Sequence, residues 1–168
     1  EIKPCIVVGI WNTAKRHAEY FPQKPFEALS VEQRGGVNRE LQNMGMPGVF
    51  EPVSDNYLKF ITNELKPFID SAFSTSSNHE STFIAGSSMG GLISMYALCE
   101  YPEVFGGAAC MSTHWPGTFA VENNPVPPAF FDYLAAHLPD PETHKIYFDY
   151  GDQTLDAMYP PLQKKADL

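Results

Sequence analysis

A short run of small residues, set between a strand pattern and a helix pattern, limits the fold of this sequence most. Residues 86–90 read Gly-Ser-Ser-Met-Gly and match G-x-S-x-G, with an apolar run at 82–85 and helically spaced apolar residues at 92–99. Such a turn strains its central residue and brings the residues two before and two after it close together, where only very small side chains fit. Ser88 has glycine at both of those positions, and Ser87 does not. The sequence therefore predicts a strand, a tight turn at Ser88 and a helix.

Strand and helix patterns alternate along the rest of the chain. Besides the strand before Ser88, apolar runs at 5–10, 104–111 and 145–150 each predict a strand, with helical patterns between them. Residues 11–53 lack sustained periodicity and carry several glycines and prolines, which predicts a long excursion loop, with a short helix inside it as the alternative. The alternation predicts an α/β fold with a mostly parallel sheet, and 168 residues suit a single domain, residues 1–168.

Ser88 is the candidate nucleophile of this chain. At the start of a helix, backbone N–H groups and the helix dipole favour developing negative charge, so the N–H of Met89 is the candidate oxyanion donor. The alternative is that residues 86–91 form an ordinary glycine-rich turn, such as a phosphate cradle. Against a phosphate site, the segment lacks the lysine of a Walker A loop and the spacing of a dinucleotide fingerprint.

A serine nucleophile needs a histidine that takes its proton and a carboxylate that orients this histidine. In the chain order Ser, acid, His, both Asp152 and Asp156 follow the strand pattern at 145–150, so either can be the acid. No histidine follows Asp156, so the catalytic histidine is not identifiable in this chain. His114 is a further candidate because it follows a strand, although it precedes the acid; its alternatives are a pocket-lining, structural or surface role.

Charge and cysteine content argue against several other functions. With 11 Lys and Arg against 20 Asp and Glu, a formal charge of -9 offers no basic surface for nucleic acid or anionic lipid. No apolar run approaches the length of a membrane span. Cys5, Cys99 and Cys110 lack metal-ligand spacing and are interpreted as buried small apolar residues. We therefore expect no metal, no nucleic-acid partner and no membrane partner, while the oligomeric state and the compartment stay open.

Four segments carry a resemblance to a known family. Residues 6–20, 64–70, 84–92 and 101–106, taken together and in this order, resemble the putative esterase family of α/β hydrolases, which includes enterochelin esterase, esterase D and feruloyl esterases. The resemblance implies a three-layer α/β-hydrolase fold and a Ser–acid–His esterase without a cofactor, which forms an acyl-enzyme on Ser88 that water cleaves. The implied substrate is a small-molecule ester. Similarity around residues 149–157 favours Asp156 over Asp152 as the acid.

The resemblance also implies elements that these 168 residues do not include. They are at least one strand before residue 1 and a histidine loop after residue 168. We therefore expect the central portion of a longer hydrolase, incomplete at both ends. Two other functions stay open: a non-catalytic binding module with a hydrolase fold, and an acyltransferase that uses the same serine.

The loop after the first predicted strand supplies candidate substrate-binding residues. By analogy with the family, Trp11, Asn12 and Arg16 lie at the mouth of the site, where His114 is a further candidate. The alternative for Arg16 is an ion pair with Glu19, because the two residues have helical spacing.

Overall fold

The described part of the chain contains one sheet of three parallel strands. The computed structural model describes residues 4–120 and 122–168, and the strands follow the order β1-β2-β3. They are β1 Phe83–Ser87, β2 Gly107–Met111 and β3 Lys145–Asp149. Ser87 pairs with Met111, and Met111 pairs with Asp149, so the strands end together at one edge of the sheet. The loops that follow the strands therefore meet at this edge, where open α/β sheets bind their ligands.

Helices lie before, between and after the strands. Within the described ranges they are α1 Arg16–Tyr20, α2 Gln23–Ala28, α3 Val31–Asn43, α4 Ser54–Phe60, α5 Lys66–Ala72, α6 Met89–Glu100, α7 Val126–His137 and α8 Pro160–Ala166. A π-helical turn, Ile61–Leu65, joins α4 to α5, and 3₁₀ turns lie at His79–Ser81 and Thr154–Met158. None of the described helices has the length and apolar character needed to cross a membrane.

Helix α6 is the most deeply buried element. Nearly all of its residues are buried, and Leu92, Met95 and Tyr96 are fully enclosed. A helix that is apolar all round needs partners on every side, and α6 packs on β1, β2, α1 and α7. Burying a large apolar side chain contributes about 1.5–3 kcal/mol relative to leaving it exposed. This packing fixes the N-terminus of α6, and with it Ser88, against the sheet.

The two faces of the sheet differ in burial. Successive side chains of a strand point to opposite faces. Ala108 and Cys110 point into the core beneath α6, whereas Phe83, Met111 and Tyr147 on the other face are 64%, 37% and 56% exposed. The described helices thus cover one face and form two layers with the sheet. The third layer expected from the family resemblance is not among the described residues.

The strand predicted at residues 5–10 does not join the sheet, so this prediction is wrong. The segment is irregular and largely exposed, with Val7 at 86%. A strand needs a neighbour for its backbone N–H and C=O groups, and a groove of about 480 Å³ separates this segment from β1. Ile6 and Val8 line one side of this β1 groove, and Phe83 and Ile84 line the other. The described sheet therefore has three strands instead of the four predicted.

The long loop predicted at residues 11–53 is also wrong, because the region forms three helices. Helices α1 and α2 have five and six residues, too few to show helical periodicity in the sequence. Helix α3 starts with a capping box in which Ser30 and Gln33 bond each other's backbone N–H. The aromatic rings of Phe21, Phe26 and Phe50 pack edge to face at 5.3–5.7 Å between centroids. Tertiary packing stabilises these short helices, as is usual for helices below about 12 residues.

The remaining predicted elements are confirmed, with shifts at their ends. The strands expected at 82–85, 104–111 and 145–150 are β1, β2 and β3, their pairing is parallel, and the helix after Ser88 is α6. Cys99 and Cys110 are buried as predicted, and burial raises the pKa of the Cys99 thiol to about 12. Cys5 is exposed, so its interpretation as a buried residue is wrong. The reason is that its segment lies outside the sheet.

Candidate active site

Ser88 occupies a strained turn between β1 and α6. Its backbone angles are φ 59° and ψ −118°, a region that residues with a side chain rarely adopt. The Ser88 N–H donates to the Met111 carbonyl of β2 at 2.9 Å, and the residue is half-buried. Ser88 therefore lies at the C-terminal ends of two parallel strands and remains partly accessible to solvent.

Packing requires a glycine at position 86, two residues before Ser88, but not at position 90, two residues after it. A Cβ on Gly86 would lie 2.5 Å from the Gly90 carbonyl oxygen, closer than real Cβ contacts come. A Cβ on Gly90 would meet nothing within 4 Å. The sequence predicted that both positions need minimal side chains, which is right for Gly86 and wrong for Gly90. The reason is that Gly90 faces open space along the β1 groove.

Backbone donors collect at the N-terminus of α6, beside Ser88. Met89 is the first residue of α6, and the first amides of a helix have no partner within it. The Ser88 carbonyl accepts from Gly91 N at 3.0 Å and from Leu92 N at 3.3 Å, which closes the first turn. The free amides and the helix dipole favour negative charge next to Ser88. The role of the Met89 N–H as an oxyanion donor stays a prediction.

The two candidate acids differ in how they are held. Asp156 is half-buried, and its Oδ2 accepts from Ser112 Oγ at 2.7 Å and from Gly151 N at 2.8 Å. Because Ser112 directly follows β2, its bond ties the loop after β3 to the end of β2, and the Gly151 bond braces that loop internally. Asp152 is exposed, and its Oδ1 accepts from the adjacent Gln153 at 3.0 Å. A carboxylate with a fixed position is the better suited of the two to orient a histidine.

His114 and Tyr159 form a buried pair next to Ser88. They are 4% and 1% exposed, and His114 Nδ1 lies 2.9 Å from Tyr159 Oη. The His114 backbone N–H donates to the Ser88 carbonyl at 3.3 Å. Burial lowers the pKa of His114, and a hydrogen bond with the Thr118 backbone opposes this effect. Burial and then the Asp156 charge raise the pKa of the Tyr159 phenol, and a hydrogen bond with the Ser88 side chain opposes them.

No sequence motif marks Tyr159 or Gln163, which both belong to this edge of the sheet. Gln163 is 2% exposed, and its Oε1 accepts from Trp115 Nε1 at 2.8 Å. The one signal in the sequence is spacing, since both residues follow Asp156 at intervals that place them on one side of a helical segment. Such spacing also occurs in ordinary helices. Only the fold shows that Tyr159 lies beside Ser88.

Trp11 and Asn12, predicted at the mouth of the site, are exposed. Trp11 is 94% exposed and lines a cavity of about 650 Å³ between residues 8–19 and 53–65. Asn12 Nδ2 donates to the adjacent Thr13 carbonyl at 3.2 Å. Their role in substrate binding stays a prediction.

Arg16 lies over the ring of Tyr20, with 5.7 Å between Cζ and the ring centroid. The ion pairs of the described residues are Lys24–Glu100 and Lys66–Asp70. The alternative role of Arg16, an ion pair with Glu19, is therefore not observed among them. Glu19 Oε1 accepts instead from Thr13 Oγ1 at 2.9 Å. A cation–π contact therefore holds Arg16, and its binding role stays a prediction.

His17 is a second, half-buried imidazole of this region, and its pKa responds to the charge of His114. Burial, then the charges of His114 and Arg16, lower the pKa of His17 to about 4. Both imidazoles are therefore neutral at pH 7, because each pKa lies below its usual value of 6.5. Within residues 4–120 and 122–168, no three His, Cys, Asp or Glu side chains cluster in a way that could hold a metal ion.

The chain matches a model of a known protein family. The family is described as Putative esterase, and the match covers residues 31–159, which include Ser88, Asp156 and Tyr159. Among curated proteins, the chain is similar to the uncharacterized protein YbbA of Bacillus subtilis (strain 168), with 38% identity over 61 residues. That match covers 36% of this chain and 24% of YbbA.

Among solved structures, the chain resembles the enterobactin esterase FES of Shigella flexneri, crystallised in the presence of 2,3-di-hydroxy-N-benzoyl-glycine. The TM-score is 0.52 at 18% identity, over 84% of this chain and 40% of that one. An enterochelin esterase structure from Shigella flexneri gives a TM-score of 0.40 at 18% identity, over 64% of this chain and 38% of that one, which is too low to support an argument. At such identities the likeness concerns the fold alone. The chain spans about two fifths of FES and, in its match, about a quarter of YbbA.

Proposed function

Because the chain belongs to the family described as Putative esterase, we propose that it hydrolyses a carboxylic ester through an acyl-enzyme on Ser88. The observation that carries this proposal is the Ser88 turn, a serine with φ 59° between β1 and α6 at the ends of parallel strands. Strain of this kind in a non-glycine residue persists where the surrounding structure holds it, and it concentrates at functional sites. The substrate class is a small-molecule ester.

The proposed reaction runs in two halves. In the first, Ser88 Oγ bonds to the acyl carbon as its proton passes to a base, and the carbonyl oxygen becomes negative beside the Met89 N–H. The intermediate then collapses, the alcohol leaves with a proton, and the acyl group remains on Ser88. In the second half, water attacks the acyl carbon, releases the carboxylic acid and restores the Ser88 hydroxyl. The steps require neither a metal nor an organic cofactor.

Asp156 is the proposed acid that orients the histidine of this mechanism. Its bonds from Ser112 Oγ and Gly151 N, at 2.7 and 2.8 Å, support this choice over the exposed Asp152. In this chain order the histidine follows the acid, and no histidine lies between Asp156 and Leu168. The proposal therefore assigns nucleophile, acid and oxyanion donor to named residues and leaves the proton acceptor unassigned.

We also propose that the three strands belong to a three-layer α/β-hydrolase fold, of which residues 1–168 form the central portion of one domain. The exposed apolar face of Phe83, Met111 and Tyr147 supports a further helical layer. The β1 groove, with Ile6 and Val8 on its far side, supports a further strand next to β1. The small share of FES that the chain covers agrees with this proposal.

A fluorophosphonate tests the nucleophile, because it forms a stable bond with an activated serine. The protein, a Ser88→Ala variant and a Ser87→Ala control are incubated with the reagent and weighed intact. We expect one adduct on the protein and on the control, and none on Ser88→Ala. Loss of Ser88 should also lower kcat/KM for a p-nitrophenyl ester by at least about 10³-fold.

Each other outcome points to a different function. If the unaltered protein forms no adduct and cleaves no ester, the enzyme proposal is wrong and a non-catalytic binding module is favoured. If Ser88 is labelled and the acyl group passes to an added alcohol in preference to water, the protein is an acyltransferase that uses the same serine.

Matched carboxylate variants test the acid. Asp156→Asn keeps the shape of the side chain but removes its charge, so we expect kcat/KM to fall at least about 100-fold. Asp152→Asn alters an exposed residue four positions earlier and should change kcat/KM by less than about threefold. The reverse result would move the acid to Asp152, and equal small effects would argue against a carboxylate at this loop.

A further inference from the structure

A second serine, Ser112, lies at the same edge of the sheet as Ser88 and directly follows β2. Its backbone has a positive φ of 44°, and its hydroxyl donates to Asp156 Oδ2 at 2.7 Å. We propose that Ser112 is a positioning residue, which holds the Asp156 carboxylate so that Oδ1 is left to accept the N–H of the catalytic histidine. The inference rests on the proposed function, because it concerns how the proposed acid is oriented.

The direction of each hydrogen bond follows from the charge of the acid. In the proposed mechanism Asp156 acts as a carboxylate, which can only accept, so the Ser112 hydroxyl and the Gly151 N–H both donate to its Oδ2, at 2.7 and 2.8 Å. These two donors occupy the two lone pairs of that oxygen. Among the hydrogen bonds of residues 4–120 and 122–168, none reaches Asp156 Oδ1. Oδ1 is therefore the oxygen that remains for an imidazole N–H.

The end of β3 holds the backbone of Ser112. The Ser112 N–H lies 3.0 Å from the Asp149 carbonyl oxygen and 2.9 Å from Asp149 Oδ1, so two oxygens of one residue share this hydrogen. The hydroxyl hydrogen is then the one that Ser112 can still donate, and it goes to Asp156. No step of the proposed reaction uses this hydrogen, so the bond can persist through both halves of the reaction.

Backbone strain occurs on both sides of the Ser112–Asp156 bond. Ser112 has a φ of 44°, and Thr154, two residues before Asp156, has a φ of 54°. Such angles favour glycine and are unusual for a β-branched residue such as threonine. A glycine at position 112 would adopt this φ without strain but would offer no hydroxyl. The bond to Asp156 is therefore what a strained serine provides here, and strain of this kind concentrates at functional sites.

Gly151 holds the same carboxylate oxygen through its backbone. A Cβ on Gly151 would lie 3.0 Å from Asp156 Oδ2 and 3.6 Å from Asp156 Cβ, so the missing side chain lets the carboxylate approach the backbone N–H. One donor to Oδ2 thus comes from the loop after β3 and the other from the end of β2. Two donors on separate segments restrict the rotation of the carboxylate more than either donor alone.

Three substitutions at residue 112 separate positioning from stability, measured in the whole protein with a p-nitrophenyl ester. Ser112→Ala removes the hydroxyl and keeps the strain, whereas Ser112→Gly removes both. In each we expect kcat to fall about tenfold, the effect of one lost hydrogen bond to a charged group, and KM to change by less than about twofold. Ser112→Gly should nevertheless unfold at a higher urea concentration than Ser112→Ala. Ser112→Thr keeps a hydroxyl and adds strain, so it should be the least stable of the three and keep a kcat at least about threefold above the other two.

A double-mutant cycle tests whether Ser112 acts through Asp156. In the unaltered background, Ser112→Gly should lower kcat/KM about tenfold. In the Asp156→Asn background the carboxylate is already lost, so the same change should lower kcat/KM by less than about twofold. Ser30→Ala is the control, because it removes a hydroxyl that caps α3 and should lower stability without changing kcat/KM.

Three results would overturn the inference while Asp156→Asn still lowers kcat/KM about 100-fold or more. They are an unaltered kcat in Ser112→Gly, a full tenfold loss from Ser112→Gly in the Asp156→Asn background, and kcat values at residue 112 that follow the stabilities of the variants. If the unaltered protein cleaves no ester, the proposed function itself fails. If the ester is cleaved but Asp156→Asn has no effect, the assigned acid fails, and in both cases this inference falls with it.

Discussion

Ser88 is held by its neighbours in a conformation that its own side chain disfavours. A φ of 59° in a non-glycine residue costs about 1–3 kcal/mol, which the rest of the turn must offset. The Gly86 backbone makes room for the Gly90 carbonyl, and the Ser88 N–H is satisfied by Met111 of β2 at 2.9 Å. Ser112 at the end of β2 also has a positive φ, of 44°. Strain therefore concentrates at one edge of the sheet.

The two glycines of the turn give a matched pair of substitutions. Gly86→Ala places a Cβ 2.5 Å from the Gly90 carbonyl oxygen, so the turn must shift, and we expect a loss of about 2 kcal/mol or more in the free energy of unfolding. Gly90→Ala meets nothing within 4 Å outside its own helix, and alanine is favoured over glycine in a helix, so it should be neutral or stabilising. Urea unfolding of both variants measures the difference. Equal stabilities would contradict the close approach at Gly86.

At the scale of elements, the loop after β2 and the segment Thr154–Ala166 form one interlocked unit. Three side-chain hydrogen bonds, Ser112–Asp156, His114–Tyr159 and Trp115–Gln163, join them. Trp115 and Gln163 are both buried, so their bond also satisfies polar groups that water cannot reach. The helix α8 is therefore part of the support of the Ser88 site, although it lies far from Ser88 in the sequence.

Gln163→Leu tests this docking of α8. The leucine fills the same space but leaves the Trp115 indole N–H without its acceptor, which should cost about 1–3 kcal/mol of unfolding free energy. Lys164→Gln, an exposed change on the same helix, should stay within about 0.5 kcal/mol. Chemical unfolding followed by far-UV circular dichroism measures both. A neutral Gln163→Leu would mean that Trp115 finds another acceptor and that α8 docks by other contacts.

At the scale of the whole molecule, the sheet has one face packed on helices and one face open. The open face carries Phe83, Met111 and Tyr147, and the neighbouring β1 groove exposes Ile6 and Val8. Exposed apolar groups that lie together on one surface usually mark a place that another element or partner covers. The proposed hydrolase fold gives this face a helical layer and this groove a strand.

Substitutions on the two faces test that arrangement. In a polypeptide of residues 1–168, Phe83→Thr and Tyr147→Thr should each change the free energy of unfolding by less than about 1 kcal/mol, since both side chains are more than half exposed. Phe148→Thr, on the inner face against Trp115, should cost about 2 kcal/mol or more. In a longer protein with a third layer, the outer substitutions should become as costly as the inner one. Unchanged small effects there would contradict the three-layer fold.

The local elements around Ser88 could be predicted because their signals are local. A G-x-S-x-G turn between an apolar run and a helical pattern specifies strand, turn and helix within about 20 residues, and the structure has them as β1, Ser88 and α6. The helices at 16–43 could not be predicted in this way. Two of them are too short to show periodicity, and contacts such as Phe21 with Phe130, far along the chain, hold them in place.

The sequence by itself determined the parallel α/β class, the turn at Ser88 and the candidate acids, because short-range steric and periodic rules govern these features. The tertiary structure alone decided that Asp156 is anchored while Asp152 is exposed, that residues 5–10 stay outside the sheet, and that Tyr159 meets His114 beside Ser88. These outcomes depend on which distant segments pack together. Burial and hydrogen bonding between such segments are properties of the folded chain, and no spacing along the sequence encodes them.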